Sequence, residues 1–168
     1  MYLSYLYYGF QKGATNMHLY EQGVLTQGAM RLTKYTDYGI RVLVYLGTRD
    51  GELASIKEVA RSFDISQDHL KKVVQDLAGA GFVHAVRGRN GGIRLARQPS
   101  DINLGSVLRH TEGLDELIEC AGCPVAPACG LPPVLAEATA AFAAVFDKYT
   151  VADLIRRRPE LQLLLKAV

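Results

Sequence analysis

The sequence predicts a mainly α protein: a winged helix-turn-helix with a β-hairpin wing, followed by a cysteine loop and a long helix suited to dimerisation. Three observations carry that reading. Three helical patterns follow one another between residues 34 and 79, and two β-prone runs then flank an Arg-Asn-Gly-Gly turn. All three cysteines fall in the window "CAGCPVAPAC", residues 120 to 129, directly before an apolar helical stretch.

The first pattern, "MRLTKYTDYGIRVLVYLGTRDG", reads as a helix over residues 34–47 in which Ile40, Leu43, Val44 and Gly47 share a face. In "LASIKEVARSFDIS", Ser55 and Glu58 have the spacing of a capping box, and Ile56, Val59, Ala60 and Phe63 recur at helical intervals. A short second helix is expected there. Ser66 is placed to cap a third, "SQDHLKKVVQDLAGAG". Its Leu70, Val73, Val74 and Leu77 form a buried stripe, Gln67, Asp68, His69, Lys71 and Lys72 face solvent, and Gly79 or Gly81 ends it. Two short helices with a tight connection, the second polar outside, can place one helix in a DNA major groove. A plain three-helix bundle would give the same pattern.

The next stretch, "FVHAVRGRNGGIRLARQP", favours DNA binding. Its turn suits a hairpin, and Arg87, Arg89, Arg94 and Arg97 lie on or beside it. An arginine-bearing hairpin can reach the minor groove or its phosphates; the alternative is that these charges keep an edge strand soluble. After Pro99, "INLGSVLRHTEGL" reads as a further short helix. Beyond the cysteines, Pro132 and Pro133 fit a helix start, and Val134, Ala138, Ala141, Ala144 and Val145 supply a small apolar face. That face has too few neighbours in its own chain, so packing against a second copy is expected, with a helix folded back on the winged domain as the alternative. The expected organisation is an N-terminal extension over 1–29, a DNA-binding domain over 30–99, and a cysteine loop with dimerisation region over 100–168.

A chain of 168 residues, 49% hydrophobic and 21% charged, suits one or two folded domains. Its apolar runs are cut by charges before a bilayer could be spanned, so no membrane partner is expected. Residues 1–29 lack the basic start and long apolar core of a secretory signal, which leads to an expected cytoplasmic location. The net charge of +2 hides an asymmetry: residues 31–99 carry 12 lysines and arginines against 7 acids, and residues 100–168 carry 6 against 9. The basic segment suits phosphates and the acidic one does not. No acid-base or nucleophile constellation accompanies the cysteines, which argues against an enzyme.

In a reducing compartment, clustered cysteines point to metal ligation or redox sensing rather than to disulfides. The spacing C-x2-C-x5-C of Cys120, Cys123 and Cys129 is open to three uses: zinc with a fourth ligand, a thiol switch, or an iron-sulfur cluster. Structural zinc normally closes a tetrahedron, commonly from paired knuckles, and no second pair exists. A 4Fe-4S cluster can use three cysteines and leave one iron to a weaker ligand, open to a small incoming molecule. That choice is favoured over 2Fe-2S. Three unligated surface thiols are the bland alternative.

In unbroken order from Met30 to about Ile155, "MRLTKYTDYGIRVLVYL", "VRGRNGGIRLA", "CPVAPACGL" and "KYTVADLI" together resemble the NsrR-type repressors of the IscR/NsrR family of iron-sulfur winged-helix regulators. The resemblance implies a homodimer paired through a long helix, bound to double-stranded operator DNA. It also implies a cluster that senses nitric oxide and, on losing it, releases genes for nitric-oxide detoxification. By position, Cys120, Cys123 and Cys129 would ligate the cluster, with Asp37 contributed across the dimer as fourth ligand. Ser66, Asp68, His69, Lys71 and Lys72, with Arg87 and Arg89 of the wing, would meet DNA. Asp37 also reads as a helix-start acid favoured by the dipole, one turn before a possible partner, Arg41.

This sequence departs from the family in three places. Only two residues separate Cys120 from Cys123, fewer than the family usually has. Pro132 stands where IscR-like members place a histidine, which favours nitric-oxide sensing over sensing of iron-sulfur status or oxidation. The family start fits Met30, so residues 1–29 read as an extension that results from an upstream start codon chosen in error, with a real extension as the alternative. A small iron-sulfur redox protein is the alternative from another functional class.

Overall fold

Helix α1 spans Lys34–Gly47 in the computed structural model, which describes residues 31–89, 91–114, 117–156 and 159–166. Expectations placed on residues 1–29, on Met30 and on Asn90 lie outside the described residues. Thr33 caps α1, its hydroxyl accepting from the Thr36 amide at 3.2 Å. From Val42 to Thr48 every residue is buried, because α1 is the central rod against which three later helices pack.

Helix α2, Ile56–Phe63, begins with the capping box that the sequence predicts. The Glu58 amide donates to Ser55 Oγ at 3.1 Å and the Ser55 amide donates to the Glu58 carboxylate at 2.6 Å. Such a cap stabilises a helix by about 1 kcal/mol. The bonds from Ser55 hold the Glu58 carboxyl below its ordinary range.

Helix α3, Gln67–Gly79, buries Leu70, Val73, Val74 and Leu77, the stripe predicted from spacing. Full burial of a leucine such as Leu70 stabilises the fold by about 1.5–3 kcal/mol. One expectation is corrected: Ser66 occupies the N-cap position, but its side chain makes no cap hydrogen bond. Gly81 follows at φ +75°, a left-handed conformation that glycine adopts without strain, and turns the chain into the wing.

Strands β1, Val83–Val86, and β2, Gly92–Leu95, pair antiparallel with Val83 opposite Leu95 and His84 opposite Arg94. Val83 and Ile93 face the core, and His84 and Arg94 face out. Ala54 adds a third rung, exchanging hydrogen bonds of 2.9 and 2.8 Å with Ile93. Gly92 is required for this approach, since a Cβ there would lie 2.8 Å from the Ala54 carbonyl oxygen.

A 3-10 turn over Pro99–Asp101 leads to α4, Leu104–Glu112, capped by Asn103 and ended by Gly113 at φ +62°. The cysteine loop follows. A second 3-10 turn, Ala126–Ala128, precedes α5, Leu131–Phe146, which starts on its two prolines. Arg109 of α4 grips Asp147 at the end of α5 with bonds of 2.7 and 2.5 Å. Gly105 makes room for that carboxylate, which a Cβ would strike. Helices α6, Val151–Arg156, and α7, Pro159–Lys166, complete the chain. Residues Leu32–Val168 form one unit whose core joins Val42, Leu70 and Ile93 to Ile102, Val107 and Val151. Among the described residues no helix is long and apolar enough to cross a membrane.

Candidate functional site: recognition helix, wing and cysteine loop

Helix α3 turns its buried stripe inward and thereby presents the opposite face to solvent. Ser66, Asp68, His69, Lys71 and Lys72 are all exposed on its first turns. Lys71 Nζ lies 2.8 Å from Asp68 Oδ1, and this contact holds the Asp68 carboxyl below its ordinary range. Arg87 and Arg89 are exposed beyond the end of β1. Arg97 behaves differently from its neighbours. Its Nε donates to the Gly81 carbonyl at 3.2 Å and its guanidinium lies 5.3 Å from the centre of the Phe82 ring, so it braces the junction of α3 and β1. Arg94 stays on the outer face of the hairpin.

The cysteine loop is built from tight turns. The Cys123 amide donates to the Cys120 carbonyl at 3.2 Å, the Ala126 amide to Cys123 at 3.1 Å, and the Cys129 amide to Ala126 at 3.4 Å. All three cysteines are free thiols, with Cys123 exposed and the other two half-buried. Beside Cys120, a pocket of about 570 Å³ is walled by Leu117, Ile118 and Leu135. Among the described residues no three or more His, Cys, Asp or Glu side chains are gathered as a metal site.

Asp37 sits in the first turn of α1, where its carboxylate meets Arg41 Nε at 2.9 Å. Arg41 in turn lies 5.7 Å from the centre of the Phe63 ring and so joins this turn to α2. The same end of α1 is fastened to α4 by Glu112, a residue without a sequence signal. Its carboxylate accepts from the Thr33 amide at 2.9 Å, from the Thr33 hydroxyl at 2.9 Å and from the hydroxyl of fully buried Thr36. An anion at a helix N-terminus is favoured by the dipole. The last residue of α4 thus anchors the start of α1 one position before the cysteine loop departs.

Comparison with known proteins places this architecture. Residues 32–157 match the Rrf2 family, described as an iron-dependent transcriptional regulator. The HTH-type transcriptional regulator NsrR of Bacillus subtilis (strain 168) is 47% identical over 143 residues, covering 82% of this chain and 98% of that protein. Its namesake from Geobacillus kaustophilus (strain HTA426) is 46% identical over 143 residues, covering 82% and 97%. Among solved structures, T. potens IscR superposes with a TM-score of 0.62 at 26% identity, over 80% of this chain and 92% of that one. The B. subtilis global cysteine regulator CymR superposes at 0.60 and 24% identity, over 77% and 98%, and supports the fold. The named relatives are regulators and not enzymes. The winged helix-turn-helix, the matched span from the start of α1 through α6 and the near-half identity agree: this chain is a transcriptional regulator of the Rrf2 family.

Proposed function

We propose that the protein is a homodimeric repressor that binds double-stranded operator DNA and carries an iron-sulfur cluster through which nitric oxide relieves repression of detoxification genes. The single observation that carries this reading is the position of three free thiols on the loop leaving α4, a helix whose last turn is bonded to the start of α1. The 47% identity to a protein named NsrR supports it.

The donor set fits a cluster. Cys120, Cys123 and Cys129 supply three thiols free of disulfides, and Asp37 of a second copy would supply a carboxylate. Ligation of these three thiols to one cluster would tie the loop together, so that cluster binding and loop structure are coupled. The cluster is proposed to be 4Fe-4S rather than 2Fe-2S because a 4Fe-4S cluster on three thiolates leaves one iron to a weaker ligand, open to nitric oxide. When bound, the cluster supplies iron that reacts with nitric oxide; everything else is the work of the polypeptide. Exposed Val134 (60%) and Val145 (51%) on α5, a helix that buries only Ala143, support pairing of two copies along this helix. Residues 30–99 then form the DNA-reading part and residues 100–168 the sensing and pairing part.

On the operator, Ser66, Asp68, His69, Lys71 and Lys72 of α3 face the major groove, and Arg87 and Arg89 reach the phosphates or the minor groove. Arg87→Ala is expected to weaken operator binding by about 1–3 kcal/mol, and Lys72→Ala to lower affinity and flatten its salt dependence. Fluorescence anisotropy over a salt series reads both, and unchanged affinity in both variants would contradict this docking. The central test is anaerobic absorbance during nitric-oxide titration, with operator binding followed in parallel. Loss of cluster absorbance and of DNA affinity at the same added nitric oxide is expected. DNA affinity indifferent to nitric oxide would overturn the sensing role, and turnover without DNA affinity would indicate an enzyme.

A further inference from the structure

The last turn of α4 touches α3 and the residue between α3 and the wing, as well as α1. His110 Nε2 lies 2.8 Å from Asp76 Oδ2 on α3. The His110 ring stands edge-on to Phe82, with centroids 6.0 Å apart, and Phe82 is the residue that leads from α3 into β1. Arg97 covers the Phe82 ring at 5.3 Å. Tyr35 of α1 faces Asp76, and burial together with that carboxylate pushes its phenol up to about 12. Lys72, one of the exposed α3 cations, lines the same depression as Asp76 and His110. Three residues after His110 the chain leaves α4 for the cysteine loop.

With side chains 34% and 39% exposed, the His110–Asp76 pair contributes little to folding stability. Its placement has another consequence. A displacement of the loop acts first on the end of α4, and the side chains that reach from there to α3 and the wing are those around His110. Glu112 leads instead to α1. Resting on the reading of the cysteine loop as the sensor, we infer that His110 and Asp76 are positioning residues for operator binding: within one protomer they transmit the state of the loop to α3 and the wing.

The test compares operator affinity of the full chain with its cluster and without it, by anisotropy at one fixed salt concentration. Cluster content and thermal unfolding are followed alongside. His110→Ala and Asp76→Ala are each expected to reduce the holo-to-apo affinity ratio by about fivefold or more, the size of an ordinary coupling between sites. The double variant should lose no more than either single one. His110→Gln, whose amide can still donate to Asp76, should recover most of the ratio, and it serves in place of His110→Ala should that variant fold poorly. Cluster content should stay at the wild-type level throughout. A wild-type ratio in both single variants overturns the inference, and so does an equal loss of affinity in holo and apo forms, which would mark a merely structural pair. A wild-type protein without any ratio overturns the sensor reading itself and this inference with it.

Discussion

Cys129→Ala is expected to abolish the cluster, and Cys123→Ala to do the same. The chain has three cysteines and no others, so a site built on three thiolates has no spare. Neither change should harm the fold. Cys123 is exposed and Cys129 half-buried, and the loop's turns are made by main-chain amides and carbonyls, which alanine keeps. Iron and sulfide content of anaerobically purified protein should therefore fall to background while helicity and unfolding temperature stay close to wild type. In a cell, a reporter under the operator should be derepressed without nitric oxide, since the cluster that supports repression would be absent. Full iron and sulfide in either variant would remove that cysteine from the ligand set. Loss of the metal together with loss of the fold would show the loop to be structural.

The parts of the fold legible in the sequence are those written in local signals. The Ser55–Glu58 capping box, the stripe of Leu70, Val73, Val74 and Leu77, the hairpin glycines and the paired prolines of α5 each act over a few residues, and each appears where spacing predicts it. Ser66 is the exception. Residue type and position fit a cap, but its hydroxyl bonds nothing in the helix, because preference at a position does not fix a side-chain torsion. What the sequence could not show is long-range. Glu112 meets Thr33 across 79 residues, Arg109 meets Asp147 across 38, and His110 meets Asp76 across 34. None has a periodicity, and all three come from α4, which the sequence shows only as a further short helix. Charge counting has the same blind spot. It groups Arg97 with Arg87 and Arg89, whereas packing on Phe82 makes Arg97 a brace between α3 and the wing.

Asp37→Ala is expected to leave a cluster on three cysteines, yet to weaken operator binding and change the kinetics of the nitric-oxide reaction. Two roles for Asp37 have to be separated. As a helix-start acid it pairs with Arg41 at 2.9 Å, both side chains being 43% exposed. An exposed pair of this spacing contributes only about 0.3–0.5 kcal/mol, and the dipole adds a similar amount, so losing them lowers stability slightly and should leave cluster chemistry unaffected. As the carboxylate reaching the partner's cysteine loop, it would instead tie the start of α1 to the sensor of the other subunit. Paired recognition helices read half-sites about one DNA turn apart, and releasing the tie in both protomers would alter their spacing. Arg41→Ala separates the roles, since it breaks the ion pair while leaving the carboxylate. It should behave like wild type toward nitric oxide, whereas Asp37→Ala should not. Carboxylate is a harder and weaker ligand for such iron than thiolate, so Asp37→Cys should react more slowly. Stopped-flow absorbance on anaerobic holoprotein, with gel-shift titrations of each variant, measures both effects. If Asp37→Ala and Asp37→Cys match wild type in both assays, the cross-subunit ligand is refuted and Asp37 is an acid at the start of a helix.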